Sequence, residues 1–521
     1  MPGRSFVSGT IILMFAGFIV RILGFVYRIY LSNLIGAEGM GLFQLIAPVY
    51  SLIILTLTSG VSIAVSKTVA AELARNHPAN LKRITTCALV VVTFCGLLVS
   101  ALIYANADFI VNVILKDSRT YYSVLLLVPC IPLISASSAL KGYFYGIQEV
   151  APTAVSQVVE QLVRISLVMA TAGWLASLGL EYACAVATAG MAAGEIANLI
   201  VLYAVYSCKK KGDQGKRPFL GLKRKRHILK ELLVISLPVS FNRFITSIMS
   251  AVEMILIPRR LLAGGMDYQD SIEEYGRLYG MAMPLLFFPS LVTSSLATTL
   301  VPAISEAISL RNFKMANYRI SRSIQFTFVL GFIFMSLFLA FPNEIGSMAY
   351  RKEKIGGMLY ALSFACIFLY LQQTLLGILN GLGKQGVSLR NSIAGSVIRI
   401  GFVYFCVPLY GIGGYVWGLV TSSACVCLLN LFTVVSTTGM AVDVRNWIIK
   451  PGIAAVFMFL GGRYIYYFFE IFRLGSILTT ALTITAYVVS AVAMMTVTGT
   501  LDREELMKLA GFKRSRKNTK D

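Results

Sequence analysis

The chain has 521 residues, of which 57% are hydrophobic and only 13% charged, with a mean hydropathy of +0.75. Soluble globular domains carry roughly 25% charged residues, so this composition excludes them and leaves an all-α polytopic membrane protein. The formal charge of +22 does not point to nucleic acid. Lys and Arg gather in a few loops and the tail, as they do on the cytoplasmic side of an anionic membrane.

A window of about 19 residues finds about fourteen apolar spans. They lie near 7–32, 41–71, 85–106, 121–147, 153–175, 182–207, 232–258, 279–305, 323–342, 357–381, 391–409, 412–437, 447–469 and 475–498. These are continuous apolar runs, not the short alternations of a β-barrel. The first span is not followed by a small-residue cleavage site and is expected to be retained. With both termini in the cytoplasm, about 30 Lys and Arg fall inside and about 9 outside. The largest contributions come from 208–231, with its KKK and KRKR runs, and from the tail 499–521.

The first span, Phe6 to Leu31, contains Arg21 and Arg28. An arginine at the bilayer centre costs about 2.5–3.5 kcal/mol on insertion scales. Seven residues apart, the two lie on nearly the same helix face, roughly 10 Å apart along the axis. Arg28 is near enough to the span end to reach the headgroups by snorkelling. Arg21 is deeper, and is expected to face a watery cavity that holds an anion.

The halves of the chain are similar. Leu140–Met169 reads LKGYFYGIQEVAPTAVSQVVEQLVRISLVM, and Leu375–Tyr404 reads LLGILNGLGKQGVSLRNSIAGSVIRIGFVY. Without a gap, Gly142 and Gly146 fall on Gly377 and Gly381, and Arg164 falls on Arg399. Weaker echoes pair Arg21 with Arg243 and Pro48 with Pro284. A repeat six spans apart places equivalent spans in the same direction, which predicts two lobes related by an axis along the membrane normal. The expected organisation is a lobe over 1–207, a basic linker over 208–231, a second lobe over 232–437, two extra spans in 438–498 and a basic tail over 499–521.

Five arginines, Arg21, Arg28, Arg164, Arg243 and Arg399, lie within or near the ends of spans, against the acids Glu160, Glu195 and Glu253. Glu160 and Arg164 are one turn apart and can pair; the acids are then candidates for ion pairing or for coupling. Even so the basic side chains outnumber the acids. A cationic cavity selects an anion, and guanidinium suits phosphate through bidentate donation. The cysteines read as small core residues, and His77 and His227 fall in predicted loops. No Walker, G-x-S-x-G or H-E-x-x-H motif is present, so no catalytic site, metal or cofactor is expected.

The strings RILGFVYRIYLSNLIGAEGMGLFQL (21–45), PRRL (258–261), MPLLFFPSLVTSSLATTLVPAISEA (283–307) and LNGLGKQG (379–386) resemble the multidrug/oligosaccharidyl-lipid/polysaccharide flippase superfamily, in its polysaccharide biosynthesis and lipid II flippase branch. The resemblance covers about 1–500. It implies two six-helix lobes alternating between inward- and outward-open states, an undecaprenyl-pyrophosphate-linked saccharide as cargo, and Arg21 and Arg28 lining the cavity. It also implies a groove for the lipid tail in the last two spans, and a role in spore-cortex peptidoglycan synthesis. The stretch Leu52–Gly60 departs from the lipid II flippases in being uncharged.

The expected function is therefore alternating-access translocation of a lipid-linked anionic saccharide across the bacterial cytoplasmic membrane by a monomer. Membrane lipids, and cell-wall synthesis enzymes as further partners, belong to the same expectation. The alternatives are an exporter of another lipid-linked polysaccharide unit, a cation-coupled multidrug antiporter of the same fold, and a membrane glycosyltransferase. The last would place its acids among Asp267, Asp270, Glu273 and Glu274.

Overall fold

A computed structural model describes residues 3–75, 77–176, 179–212, 225–351, 353–472 and 475–499. Among these residues the secondary structure is helical and no strand is present. Helices satisfy every backbone donor and acceptor within one segment, which an apolar solvent demands. Half of the basic linker, 213–224, and the C-terminal tail beyond residue 499 lie outside the described residues.

The first helix, Gly3–Ala74, is two helices joined at Gly36, whose φ of 68° and ψ of −171° fall outside the helical region. The apolar run Phe15–Ala74 holds 60 residues, about 90 Å of helix, three times the hydrocarbon thickness of about 30 Å. The Gly36 break lets it cross twice. Among the described residues, ten helices are long and apolar enough to cross a membrane, or eleven if Gly356–Ser363 and Cys366–Gly381, bent by 53°, form one span. The expected count of fourteen is thus not confirmed. The difference arises because the first helix, broken at Gly36, is counted once, and because Ala151–Ala176 and Gln385–Phe405, which carry the charged side chains of interest, fall outside that count.

The chain forms two compact units, Met1–Met281 with Val403–Gly411, and Ala282–Phe402 with Ile412–Asp521. This division does not follow the linker, because helix Lys225–Ala263 packs on the first helix within the first unit. The crossing is close because Gly60 has no side chain: a Cβ there would strike Ser236 and Ser240. His227 lies inside this helix rather than in a loop.

Each unit contains the same crossing. In the first, a Cβ on Gly142 would meet the Ser62 carbonyl oxygen at 2.7 Å, and one on Gly146 would meet the Ser66 carbonyl oxygen at 2.8 Å. In the second, a Cβ on Gly377 would meet the Ala297 carbonyl oxygen at 2.5 Å, and one on Gly381 the Val301 carbonyl oxygen at 3.1 Å. All four glycine–partner pairs are related by one sequence offset. The repeated G-x-x-x-G is therefore a packing device, in which small residues allow backbones to approach.

The second unit is centred on Ile304, Ile324, Phe328, Leu375, Ile378 and Trp447, all buried. Thr327 and Thr374 share a hydroxyl hydrogen bond of 2.7 Å across this core. Helix Lys450–Glu470 packs on Phe313–Ala340 and on Ser476–Val497. Its Gly462 lies against Tyr487, Ala340 and Phe341. The other face exposes Ile453, Phe457, Leu460, Tyr464, Tyr467 and Ile471 at helical spacing.

Candidate functional site

The first unit gathers charge deep between Ala151–Ala176 and Leu180–Gly212. Arg164 donates from Nη2 to Glu160 Oε1 at 2.7 Å, one turn back on its own helix. Asn198 donates from Nδ2 to Glu160 Oε2 at 3.1 Å and to Glu195 Oε2 at 3.2 Å. One amide thus bridges two carboxylates. Glu195 and Asn198 are both buried. The helices can approach at this level because Gly194 faces the charged turn: a Cβ there would meet the Glu160 carbonyl oxygen at 2.8 Å and Arg164 Cβ at 3.4 Å.

The first helix completes the cluster. Tyr27 lies within electrostatic reach of Arg28 and Arg164, and Tyr50 within reach of Glu195, Arg164 and Glu160. Lys141 acts on Glu195 in the same way. Arg28 thus reaches Tyr27, and Lys141 and Arg164 reach Glu195, so the two carboxylates lie among basic side chains. Among the described residues, Tyr27 Oη, Arg164 Nε and Asn198 Oδ1 are buried and make no hydrogen bond. Two of these can donate to a phosphate oxygen, and the third can accept from a water or face a cation.

The other predicted site residues are placed differently. Arg21 is exposed, and Arg28 is half-buried. Arg243 is exposed on helix Lys225–Ala263. Glu253 is buried and accepts from Tyr279 Oη at 3.4 Å, while the Tyr279 carbonyl accepts from Gln44 Nε2 at 3.1 Å. Glu253 therefore belongs to helix packing. Arg399 lies in the second unit, half-buried on Gln385–Phe405. At the repeat offset Glu160 is replaced by Gly395, and neither Gln385–Phe405 nor Ile412–Thr438 contains an Asp or Glu. There the helices are joined by an amide pair instead, Asn391 Nδ2 to Asn430 Oδ1 at 2.9 Å. The carboxylates are thus confined to one half of the repeat.

Sequence reasoning missed Asn198, Lys141, Tyr27 and Tyr50. Asn198 follows Glu195 by one turn and Lys141 is a lone cation in an apolar run, which were the available signals.

A second polar network lies at the loop end of the same unit. Arg119 donates from Nη1 to Glu38 Oε1 at 2.6 Å and from Nη2 to Asp117 Oδ2 at 2.8 Å. Tyr268 Oη donates to Asp117 Oδ2 at 2.8 Å. Burial drives the Asp117 carboxyl upward, but the hydrogen bonds from Arg119 and Tyr268 outweigh it and hold the group below its usual value. Burial raises the Tyr268 phenol, and Asp117 adds to the effect. Arg277 pairs with Glu273 at 2.9 Å and Glu274 at 3.0 Å, so these acids serve ion pairing.

The helical architecture, with apolar helices long enough to cross a membrane and a polar cluster between two of them, is that of a multi-pass membrane protein. The chain belongs to the polysaccharide biosynthesis protein family, which it matches over residues 6–308, and thereby to the multidrug/oligosaccharidyl-lipid/polysaccharide superfamily; residues 278–405 also match the MatE family. Stage V sporulation protein B of Bacillus subtilis (strain 168) is 31% identical over 462 residues, 88% of this chain and 89% of that relative. Lipid II flippase MurJ of the same organism is 26% identical, covering 75% of each chain. A solved structure of lipid II flippase MurJ in an inward closed conformation is similar in fold, with a TM-score of 0.67 at 15% identity over 92% of this chain and 98% of that one.

Proposed function

We propose that the chain translocates an undecaprenyl-pyrophosphate-linked saccharide, of the lipid II type used for peptidoglycan and for spore cortex, across the cytoplasmic membrane by alternating access. The observation that carries this reading is the cluster around Arg164, which sets the unfilled donors of Tyr27 and Arg164 beside two carboxylates. A diphosphate offers the oxygens those donors need. Arg21, Arg28, Arg164, Arg243 and Arg399 are assigned to the headgroup. The exposed apolar strip from Ile453 to Ile471 suits the prenyl tail. The similarity to stage V sporulation protein B and to MurJ supports the cargo class. Both termini are assigned to the cytoplasm, and the chain is read as a monomer.

Glu160 and Glu195 are assigned to coupling. One amide holding two acids favours a state in which they share a proton or a cation, because like charges at close range disfavour each other. The same observation favours a second reading, a cation-coupled drug antiporter, to which the MatE match lends weight. Accessibility of lipid-linked precursors in depleted cells or vesicles separates the two. Arg21→Ala and Arg243→Ala are expected to stop lipid translocation at normal expression. Full-rate translocation by both variants would remove Arg21 and Arg243 from the headgroup site, and drug efflux with no lipid translocation would refute the flippase reading.

A further inference from the structure

Helix Lys225–Ala263 is uncovered on two opposite faces. With about 100° of rotation per residue, Leu233, Val234, Leu237, Phe241, Phe244 and Ile248 form one strip within roughly 60° of Lys230, and all six are exposed. From Arg226 to Ile248 this strip is about 33 Å long, close to the hydrocarbon thickness of about 30 Å. Arg243 lies about 140° around from it. At other levels that back face is closed, by Leu232 and Ser236, both buried. At the level of Arg243 it is open, since Phe241, Asn242, Arg243 and Phe244 are all exposed and together span about 300°. Arginine and asparagine there require a polar medium, whereas the strip requires an apolar one. At this level the helix is a wall one helix thick.

The strip begins in an open recess lined, among the described residues, by this helix alone. Arg226, His227 and Lys230 line its polar end, and Leu229, Leu233, Val234 and Leu237 its apolar end, around a volume of 590 Å³. Arg226 and Lys230 are one turn apart and both exposed, so their heads can converge on one ligand.

We propose that this recess is an entry site for a lipid diphosphate of the inner leaflet. Arg226 and Lys230 hold the two phosphates, and the chain lies along Leu233, Leu237 and Phe241. The headgroup then has one helix wall to pass before it reaches Arg243. The two fixed charges match a diphosphate better than the single charge of a bulk phosphodiester lipid. The identity of the lipid as cargo rests on the flippase reading; the site itself rests on the recess and the strip.

The test uses the full chain in phosphatidylcholine nanodiscs, with undecaprenyl diphosphate carrying a photoreactive group in its tail as probe. Cross-links are expected on residues 229–241. The Arg226→Gln/Lys230→Gln variant should lower labelling about tenfold, as loss of charge-assisted hydrogen bonds implies. Both positions are exposed, so an unchanged melting transition is expected to accompany that loss. An excess of phosphatidylglycerol should leave the label in place. Labelling that survives the double substitution, or that phosphatidylglycerol displaces, would overturn the site. Labelling that persists while no lipid-linked cargo is translocated would sink the flippase reading and leave the site standing.

Discussion

Asn198 holds Glu160 and Glu195 with a single amide nitrogen, at 3.1 Å and 3.2 Å, from a position that is itself fully buried. Its carbonyl oxygen has no hydrogen-bond partner among the described residues. The two acids are thereby held at close range with one neutral donor between them, and Arg164 reaches only the first. A pair restrained in this way changes its preferred protonation when any one member is altered.

The first prediction concerns that pair. Glu195→Gln is expected to remove the pH or cation dependence of transport while leaving expression normal. Asn430→Ala, on the helix pair that carries no acid, is expected to cost about 1 kcal/mol of stability through the lost amide hydrogen bond and to leave that dependence intact. Transport assayed in proteoliposomes across a pH series, together with detergent melting, checks both.

The second concerns the ion pair of Arg164 and Glu160. Removing one partner of a buried pair leaves an uncompensated charge, at a cost of about 3–5 kcal/mol. Glu160→Gln or Arg164→Gln alone should therefore lower the melting temperature more than the double substitution does. Melting curves in detergent give the coupling between the two positions. A double variant less stable than either single would contradict the assignment.

The third concerns the loop-end network. Because the Asp117 carboxyl is held below its usual value, its contribution is present above the unfolded value of about 3.9 and is lost as pH falls through the folded value. The network of Glu38, Asp117, Arg119 and Tyr268 is expected to stay closed at neutral pH and to loosen only in strong acid. Asp117→Asn should loosen it at neutral pH. Hydrogen exchange over residues 107–120 reads this out, with faster exchange expected in the variant at pH 7 and in the parent only below about pH 4.

The fourth concerns packing in the first unit. Gly276 lies against the Ala37 backbone, where a Cβ has no space. Tyr275 Oη donates to the Gln44 carbonyl at 3.1 Å beside it. Gly276→Ala is expected to destabilise the protein by roughly 1–3 kcal/mol, visible as a lower melting temperature and less monodisperse material on size-exclusion chromatography. Gly357→Ala, where a Cβ would meet nothing within 4 Å, should behave as the parent does.

Much of this organisation was legible in the chain alone. Long apolar runs become helices in lipid because the hydrocarbon offers backbone groups no partner, so they must pair within the segment. The repeat of Gly142, Gly146 and Arg164 in Gly377, Gly381 and Arg399 was readable because close helix crossings tolerate only small residues, and the structure places the glycines at equivalent crossings. The pairing of Glu160 with Arg164 followed from one-turn spacing. The convergence of Tyr27, Tyr50, Lys141 and Asn198 was not legible, since each sits on a different stretch and only packing brings them together. The sequence places spans at 153–175 and 391–409, on the helices that carry Arg164 and Arg399, although their charged residues lower the mean hydropathy there.

Composition, period and spacing by themselves determined the solvent, the helical class, the repeat and the excess of basic over acidic residues in the spans, because each is a property of local sequence acting against water or lipid. The tertiary structure decided that helix Lys225–Ala263 joins the first unit and that Glu160 and Glu195 both answer to Asn198. Those outcomes depend on which helix faces meet, and that is set by contacts between residues far apart in the chain.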